Sequence, residues 1–588
     1  MKRTRSSRLS RSLATALLCT LCLHSILISA APPAFTTTPR NRVFFWKVTS
    51  TTLAPDGVTR PVILVNEKYP GPKIEVNRGD SVTVVVENAL DVPTSFHWHG
   101  LTMRGDPWYD GVAGMNQCPI PAGTNFTYAH WWHAHFENQY IDGLVGAIII
   151  RDPPETDPFL HAYDEERTVI LSDWYHQPTG TLLTQYLNPD SKGNEPVPNS
   201  GLINGKGVFD CSKVQGNLPC AQGERAVIHF VPNRRYRLRI INTGASAPML
   251  FSIDNHLMQV IEADGTELNP IMVESLPINT GQRYSVIVIA NQDVQNYWMR
   301  AEIGTACIPI TPTNLDPVIL GEIRYQGAGA ATPTSQGRFV PTPVEKGQPA
   351  LVNPAFEAAC EDLDLYSLHP LKPQPILEPI TNSFLVRIQF KKGPVDDIVR
   401  GYMNDITFSN DAWNPTIVQN MNTSAVYGIN QHVMKIERRD AIVQIILDNS
   451  LGGEHPFHLH GHTFQVIAQG KGIYEEGKTP INTINPLRRD TATVPNRGFT
   501  VIRFKADNPG VWALHCHIEW HVTTGLVMQF IELPDELRAM GIPKHVNKLC
   551  DIGPPQGFKA HTGFVPPPGL LPPAPAPPAP PAPNKKGH

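Results

Sequence analysis

Pairs of histidines separated by a single residue recur in this sequence. With 22 histidines among 588 residues, about one such pair is expected by chance, yet five pairs are present in four blocks. On a β-strand, residues two apart point to the same face, so each pair aims two imidazoles at one place. Imidazole binds zinc, copper, iron or nickel, and the blocks therefore predict a metal centre. They are His97/His99, His133/His135, His458/His460, which continues to His462, and His515/His517.

One cysteine lies inside the last block. On a strand, Cys516 faces the side opposite to its two histidine neighbours. A cysteine with two further histidines and a weak or absent axial ligand is typical of a blue-copper electron-transfer site. Structural zinc needs a fourth strong ligand, and Leu526, ten residues after Cys516, cannot coordinate a metal. The set predicts one copper held by His455, Cys516 and His521, with Leu526 as an axial residue that is not a ligand.

A short piece of backbone connects this predicted copper site to the paired histidines. The two neighbours of Cys516 belong to the set of eight paired histidines, which would hold a second metal cluster. Reduction of dioxygen to water takes four electrons, and four copper ions can store four. The sequence therefore predicts four copper ions in an enzyme whose partners are a small reducing substrate and O₂.

Strands are the elements expected to carry these residues. Short runs of Val, Ile, Thr and aromatic residues between Gly, Pro, Asn and Asp recur, as in "SVTVVVENAL" and "AIVQIILDN", and such runs are typical of β-sandwiches or barrels. The end of the chain partly repeats its beginning, since "VVVENAL" then "FHWHG" is similar to "VQIILDNS" then "HPFHLHG". An all-β fold is expected, with two related domains around a middle one. The expected division is a signal peptide at 1–30, domains at 31–160, 161–330 and 382–548, a connector at 331–381 and a proline-rich tail at 549–588.

Several features predict export from the cell. Basic residues near the start are followed by an apolar run from Leu13 to Ala30, as in secretory signal peptides. No other stretch has the 18 or more apolar residues of a membrane span, so no membrane anchor is expected. Seven of the nine cysteines lie outside the leader. Because this number is odd, one cysteine must stay unpaired, and Cys516 is the expected one; the other six can form three disulfides. Glycosylation sequons at Asn125 and Asn422 fit a secreted, extracellular glycoprotein.

The charge distribution argues against nucleic acid as a partner. The chain has 49 basic and 53 acidic residues, and five of the basic ones lie in the leader. No long basic run follows it, and binding to the phosphate backbone depends on such charge. The tail, with "PPPGLLPPAPAPPAPPAP", is expected to be an extended, solvated polyproline segment.

The ordered motifs "HWHG", "HAH", "HPFHLHGH" and "HCHIEWH" resemble the four copper motifs of the multicopper oxidases. The resemblance extends over about residues 35 to 550, and "GLING", "RYRLRIINTG" and "FSIDNH" are most similar to fungal laccases and their relatives. It implies three consecutive cupredoxin-like Greek-key β-sandwich domains, with a three-copper cluster between the first and the third. It also implies His97 and His458 as type 2 copper ligands. The type 3 pair would be bound by His99, His133, His135, His460, His515 and His517.

Two further sets of residues follow from the resemblance. Asp110 in "WYDG" and Glu519 in "HCHIEWH" stand at the acidic positions of the family, where carboxyl groups would supply the protons that oxygen reduction consumes. The implied disulfides are Cys118–Cys550, Cys211–Cys220 and Cys307–Cys360.

The leading hypothesis for the substrate is a phenol or arylamine, oxidised one electron at a time as in laccases. The acidic residue that laccases carry before "FSIDNH" is replaced by Ser246. A ferroxidase is the first alternative: the ferroxidase aspartate corresponds to Leu451, although Glu454 adjoins His455. Ascorbate oxidase and a copper-binding protein with impaired turnover are the others.

The internal repeat also predicts a defect in the first domain. From Phe499 of "FTVIRF" to His515 the separation is 16 residues, whereas from Phe126 of "FTYAHWWHAH" to His133 it is 7, a deficit of nine. Nine residues span roughly 30 Å of extended chain, a strand and its turn. The segment "KADNPGVW" has no counterpart, and His130 falls where the turn should end. We expect an incorrectly spliced or deleted form that loads type 1 copper better than the type 3 pair.

Overall fold

The computed structural model describes residues 38–128, 132–308, 314–336, 360, 362–450 and 452–554. The predicted signal peptide, the centre of the predicted connector and nearly all of the predicted tail lie outside this part of the chain. No helix within it is long and apolar enough to cross a membrane.

Eight strands lie in the described part of the first domain. Its strands alternate between core and surface; in the fourth, Val82, Val84 and Val86 are buried and the residues between them are not. They are β1 (Asn41–Leu53), β2 (Arg60–Val65), β3 (Ile74–Asn77), β4 (Ser81–Asn88), β5 (Phe96–His97), β6 (Asn125–Tyr128), β7 (His133–Ala134) and β8 (Ile148–Arg151). One sheet has the order β2-β1-β4-β6, and the other strands form two separate pairs, β3 with β8 and β5 with β7.

Among its described residues, the second domain has eleven strands and one α-helix, α1 (Thr179–Tyr186). The strands are β9 (Glu165–Trp174), β10 (Ser200–Ile203), β11 (Val227–Phe230), β12 (Arg235–Asn242), β13 (Met249–Ile253), β14 (Met258–Ala263), β15 (Thr266–Val273), β16 (Ser275–Ile278), β17 (Arg283–Ile289), β18 (Asn296–Ile303) and β19 (Val318–Tyr325). They form a six-stranded sheet, β10-β9-β12-β17-β14-β15, and a five-stranded sheet, β11-β19-β18-β13-β16.

The third domain has the same plan. Its strands are β20 (Asn382–Lys392), β21 (Val399–Met403), β22 (Val433–Ile436), β23 (Ala441–Asn449), β24 (His455–Leu459), β25 (Phe464–Lys471), β26 (Arg488–Arg489), β27 (Thr491–Val494), β28 (Gly498–Ala506), β29 (Gly510–Cys516) and β30 (Val527–Glu532). Its helices are α2 (Thr416–Gln419), α3 (Glu519–Thr523), α4 (Pro534–Met540) and α5 (Lys544–Ile552). The sheets have the orders β21-β20-β23-β28-β25-β26 and β22-β30-β29-β24-β27. Helix α5 includes the predicted first residues of the tail.

The described chain is therefore mostly strands, with buried apolar residues between the layers of each domain. Three disulfides add covalent links, and Cys516, which is buried, is the free cysteine of the described residues. The prediction that Cys516 is the cysteine left over is confirmed. The disulfides are those that the resemblance implies: Cys118–Cys550, which joins the first domain to α5, Cys211–Cys220 and Cys307–Cys360.

Candidate metal centre

The eight paired histidines meet between the first and third domains. Strand β5 pairs with β7 so that His97 lies opposite His133, and β24 pairs with β29 so that His458 lies opposite His515. These registers place the two histidine pairs of each domain side by side. Within each of three groups the ligand atoms lie within 4.8 Å of one another: His97/His99/His458, His99/His133/His517 and His135/His460/His515.

Backbone carbonyls determine which ring nitrogen faces the cluster. Nδ1 of His97 donates to the carbonyl of Asp110 at 2.8 Å, and Nδ1 of His458 donates to the carbonyl of Asp490 at 2.8 Å; these tautomers are assigned from the contacts. The Nε2 atoms of both rings are buried and have no hydrogen-bond partner among the described residues. Because buried polar atoms almost always have a partner, these two nitrogens fit metal ligands.

Nitrogen atoms of different histidines also approach each other closely. Nε2 of His460 lies 3.0 Å from Nε2 of His515, and Nε2 of His517 lies 3.2 Å from Nδ1 of His99. Burial above all, and then the neighbouring histidines, lowers the pKa of His99 and of His460 well below the usual value. Neutral imidazoles with converging lone pairs are a donor set that suits copper.

A second donor set lies on the opposite face of β29. Sγ of Cys516 is 3.3 Å from Nδ1 of His521 and 3.7 Å from Nδ1 of His455, and the two Nδ1 atoms are 3.2 Å apart. His455 begins β24, while α3 turns the chain back so that His521 reaches Cys516. One thiolate and two imidazoles, all buried, are the donors of a blue-copper site.

Leu526 lies against this second set. Its carbonyl accepts a hydrogen bond from the amide of Cys516 at 3.3 Å, and its amide donates to the carbonyl of His521 at 2.9 Å. The side chain is fully buried and has no donor atom. A fourth strong ligand, which structural zinc requires, is therefore not supplied from this position.

Comparison with known proteins identifies the family. Family models described as multicopper oxidase match residues 47–155, 165–328 and 394–536, one in each domain. The chain belongs to the multicopper oxidase family. It is a copper-dependent oxidoreductase that uses O₂, and its domains are cupredoxin-like, as predicted.

The relatives of this multicopper oxidase include several laccases. Laccase-4 of Thanatephorus cucumeris is 36% identical over 526 residues, which cover 86% of the chain and 91% of that protein. Laccase-2 of Botryotinia fuckeliana is 34% identical over 519 residues, covering 84% and 82%. Among solved structures, a laccase from Botrytis aclada is 32% identical with a TM-score of 0.78, covering 90% of the chain and 96% of that structure. Fet3p, a multicopper oxidase that functions in iron import, is 30% identical with a TM-score of 0.76, covering 87% and 95%.

The structure places Asp110, one of the two acidic residues named from the sequence, in contact with the multicopper oxidase cluster. Its Oδ2 accepts a hydrogen bond from Nδ1 of His460 at 2.8 Å, and its side chain is fully buried. The turn that positions it depends on Gly111, which has a φ of +86° and where a Cβ would lie 1.7 Å from the carbonyl oxygen of Phe96. Asp110 therefore joins the first domain to a cluster histidine of the third.

Glu519, the other acidic residue, is the first residue of α3 and lies two residues beyond His517. Its side chain is buried, and burial raises the pKa of its carboxyl group well above the usual value. No direct contact between this carboxyl group and a cluster histidine is observed among the described residues. Asp110 therefore contacts a cluster histidine directly, whereas Glu519 lies near the cluster in sequence without an observed direct contact.

An ion pair that the sequence did not indicate connects the cluster to the second domain. Nε2 of His99 donates to Oδ1 of Asp490 at 3.1 Å, and the Asp490 carboxylate accepts two hydrogen bonds from Arg283, at 2.6 and 2.5 Å. Burial raises the pKa of Asp490, but the guanidinium of Arg283 outweighs it and holds that pKa well below the usual value. The charged carboxylate orients the His99 ring so that Nδ1 faces His517.

A second residue missed from the sequence is Glu195, in the segment between α1 and β10. Its Oε1 accepts a hydrogen bond from Nε2 of His521 at 2.6 Å, and its side chain is 24% exposed. Ser246, at the place where an acidic residue was expected, contacts the hydroxyl of Tyr175 at 3.0 Å instead. Leu451, the position considered for a ferroxidase aspartate, lies outside the described residues. The carboxylate that contacts His521 therefore comes from Glu195 and from neither of the two positions considered from the sequence.

The first prediction concerns Leu526. Replacing Leu526 with Met should lower the reduction potential of a copper ion bound by His455, Cys516 and His521, because a thioether stabilises the oxidised ion and leucine offers no axial donor. Redox titration of the blue absorption measures the potential. An unchanged or higher potential in Leu526→Met would show that this residue does not occupy the axial position.

Proposed function

We propose that this multicopper oxidase is a laccase-type enzyme that oxidises phenols or arylamines and reduces O₂ to water with four copper ions. His455, Cys516 and His521 are the type 1 ligands, and His97 and His458 are the type 2 ligands. Bound copper supplies one-electron storage and transfer. The type 3 ligands are His99, His133, His135, His460, His515 and His517.

The observation that carries this proposal is the position of the two donor sets on one strand. Cys516, the last residue of β29, faces one side, and His515 on the strand and His517 directly after it reach the histidine cluster on the other. A covalent path of a few bonds therefore connects the place of substrate oxidation with the place of oxygen reduction. The carboxyl groups of Asp110 and Glu519 are the proposed proton-relay groups, since oxygen reduction consumes protons.

Glu195 is the proposed substrate-side base. Its carboxylate is hydrogen-bonded to the ring of His521 and is partly open to solvent. A phenol that hydrogen-bonds this carboxylate would lose its proton as it gives up an electron. The laccases among the relatives support this substrate class.

A ferroxidase remains a second candidate because of the same contact. Fe(II) prefers oxygen ligands, and the Glu195 carboxylate supplies oxygen atoms beside His521. Fet3p, a multicopper oxidase that functions in iron import, is 30% identical to the chain. The contact therefore fits a phenol or an iron ion, and kinetics must distinguish them.

The experiment is to follow the bleaching of the blue absorption under anaerobic conditions with a phenol, with Fe(II) and with ascorbate. This half-reaction tests electron entry without requiring an intact oxygen site. We expect the phenol to reduce the copper with the highest second-order rate constant. A rate constant tenfold or more higher for Fe(II), or for ascorbate, would assign the corresponding oxidase activity instead.

The second prediction is that Glu195→Gln slows phenol oxidation about 100-fold, because glutamine cannot accept the phenolic proton. A one-electron metal complex that releases no proton should reduce both proteins at similar rates. Glu224→Gln is the control, since Glu224 lies in the same domain and its side chain is 78% exposed. Equal phenol rates for Glu195→Gln and Glu224→Gln would exclude a role for Glu195 as the base.

We also propose that the protein is secreted and glycosylated. The three disulfides suit an oxidising compartment. The sequon residues Asn125 and Asn422 are both exposed. Recovery of the glycosylated chain from culture medium, cleaved near residue 30, would support this location, and retention of an uncleaved chain in the cell would contradict it.

A further inference from the structure

The outer face of the four-stranded sheet in the first domain carries one of the two sequons. In β6, Asn125 and Thr127 are exposed, whereas Phe126 and Tyr128 are buried. The acceptor residue and the threonine of this sequon therefore both lie on the outer face of the sheet. Strand β6 is the last strand in the order β2-β1-β4-β6. A glycan attached to Asn125 thus starts at one side of this face.

Strand register places an aromatic side chain on the same face. Thr127 lies opposite Val85 of β4, and Val85 lies opposite Phe45 of β1. Phe45 is therefore two strands and two residues away from Asn125. With a strand spacing of about 4.8 Å and a rise of about 3.4 Å per residue, the Cα atoms of Phe45 and Asn125 are roughly 12 Å apart. The two inner sugars of an N-linked glycan span about this distance.

The residues directly across the sheet from the sequon asparagine are charged. Asn125 lies opposite Glu87, and Glu87 lies opposite Lys47. Nζ of Lys47 is 2.8 Å from Oε1 of Glu87, and both side chains are about half exposed. This ion pair shows that the side chains next to Asn125 project from the outer face. A glycan that leaves Asn125 can pass over them toward β1.

Phe45 is the exposed phenylalanine of the described chain. Its side chain is 71% exposed, and every other described phenylalanine is buried or partly buried. Val43, two residues earlier on the same face, is 47% exposed, and the neighbouring Val85 is partly buried. An aromatic ring that projects from a sheet beside further apolar side chains is typical of a contact surface.

We propose that the glycan on Asn125 folds back over the outer face and that its inner sugars stack on the ring of Phe45. Because this contact needs a modified asparagine, it rests on the proposed glycosylation. A pyranose ring presents C–H groups on its faces, and the negative face of an aromatic ring attracts them. The glycan is tethered to the same sheet, so its effective concentration at Phe45 is on the order of millimolar, and even a weak contact is populated.

The same geometry argues against a protein partner on this face. A glycan on Asn125 is bulky and would lie between the sheet and a second chain that approached Phe45. A protein surface would also have to desolvate the Lys47–Glu87 ion pair, and the attraction within a buried pair often does not recover that cost. Sugar hydroxyl groups can hydrogen-bond both charges. An attached glycan therefore suits the charged residues and the aromatic ring together.

The first test is hydroxyl-radical footprinting of the secreted protein from a eukaryotic host, read by mass spectrometry. If the contact is populated about two-thirds of the time, Phe45 should be oxidised about 3-fold faster in Asn125→Gln than in the unmodified sequence. Asn422→Gln, which removes the other sequon, is the control and should leave Phe45 unchanged. Tyr366, which lies outside the first domain and is 45% exposed, normalises the dose. Equal oxidation of Phe45 in all three proteins would overturn the proposal.

The second test is a thermal comparison of Phe45→Ser with and without the glycan. In the glycosylated protein this substitution should lower the unfolding temperature of the first domain by about 2 °C, because the stacking is lost. In the Asn125→Gln background it should have no such effect. Thr127→Ala removes the sequon without altering the asparagine and should behave as Asn125→Gln does. The same loss in all backgrounds would mean that Phe45 stabilises the sheet by itself, which contradicts the contact.

Mass spectrometry of the two sequon peptides separates this contact from the glycosylation on which it rests. A glycan on Asn422 with none on Asn125 would overturn the contact and leave the protein a glycoprotein. An absence of glycan from both residues would contradict the proposed glycosylation as well. Protection of Phe45 that appears only as the protein concentration rises would assign the face to a second copy of this chain and overturn the proposal.

Discussion

Cys516→Ser is expected to abolish the intense blue absorption of the copper-loaded protein and to reduce bound copper by one ion per chain. The colour arises from charge transfer between a thiolate and copper, and serine offers only a hard, protonated oxygen. Cys516 is the free cysteine of the described residues and lies 3.3 and 3.7 Å from the two histidine nitrogens. Absorption spectroscopy and copper analysis of the two proteins measure the effect.

The control for this variant is the double substitution Cys211→Ser/Cys220→Ser. This disulfide lies at the surface of the second domain and closes a short loop with a sequence separation of 9. Its removal should leave the blue absorption unchanged. A wild-type protein that is colourless although it contains its full complement of copper would contradict the assignment of Cys516.

Arg283→Met is expected to destabilise the protein by about 3 kcal/mol, because loss of one partner leaves the buried Asp490 carboxylate without compensation. It should also weaken copper binding by the histidine cluster about 10- to 100-fold, since Asp490 orients the ring of His99. Thermal unfolding of the copper-free protein measures the first effect. Copper titration against a competing chelator measures the second.

Arg300→Met provides a matched control within the second domain. Arg300 binds Asp254 through two hydrogen bonds of 2.7 and 2.9 Å, and its side chain is 18% exposed, against 16% for Arg283. The Arg300–Asp254 pair makes no contact with a cluster histidine. Arg300→Met should therefore lower the stability as much as Arg283→Met does, but leave the copper affinity unchanged. Equal copper affinities in the two variants would mean that Arg283 stabilises the fold without positioning His99.

The repeat within the sequence predicts a deficit in the first domain, and this stays a prediction. The separation between Phe126 and His133 is nine residues shorter than that between Phe499 and His515. Residues 129–131, including His130, lie outside the described residues, so the sequence remains the guide to that segment.

The sequence predicted the candidate metal ligands because their chemistry is local. Alternation along a strand places the two histidines of each pair on one face and Cys516 on the other, and an odd number of cysteines left one thiol free. The type of fold followed from the strand pattern, and the family from four ordered motifs. These properties depend on residues that are close together in the chain.

The tertiary structure alone decided which groups surround those ligands. Glu195 and His521 are 326 residues apart, and Arg283 and Asp490 are 207 residues apart; neither pair belongs to a common motif. Contacts between domains depend on how whole sheets pack, and the sequence pattern of one strand carries no information about a strand in another domain. The carboxylate that accepts a hydrogen bond from His521 and the ion pair behind His99 could therefore be found only in the folded chain.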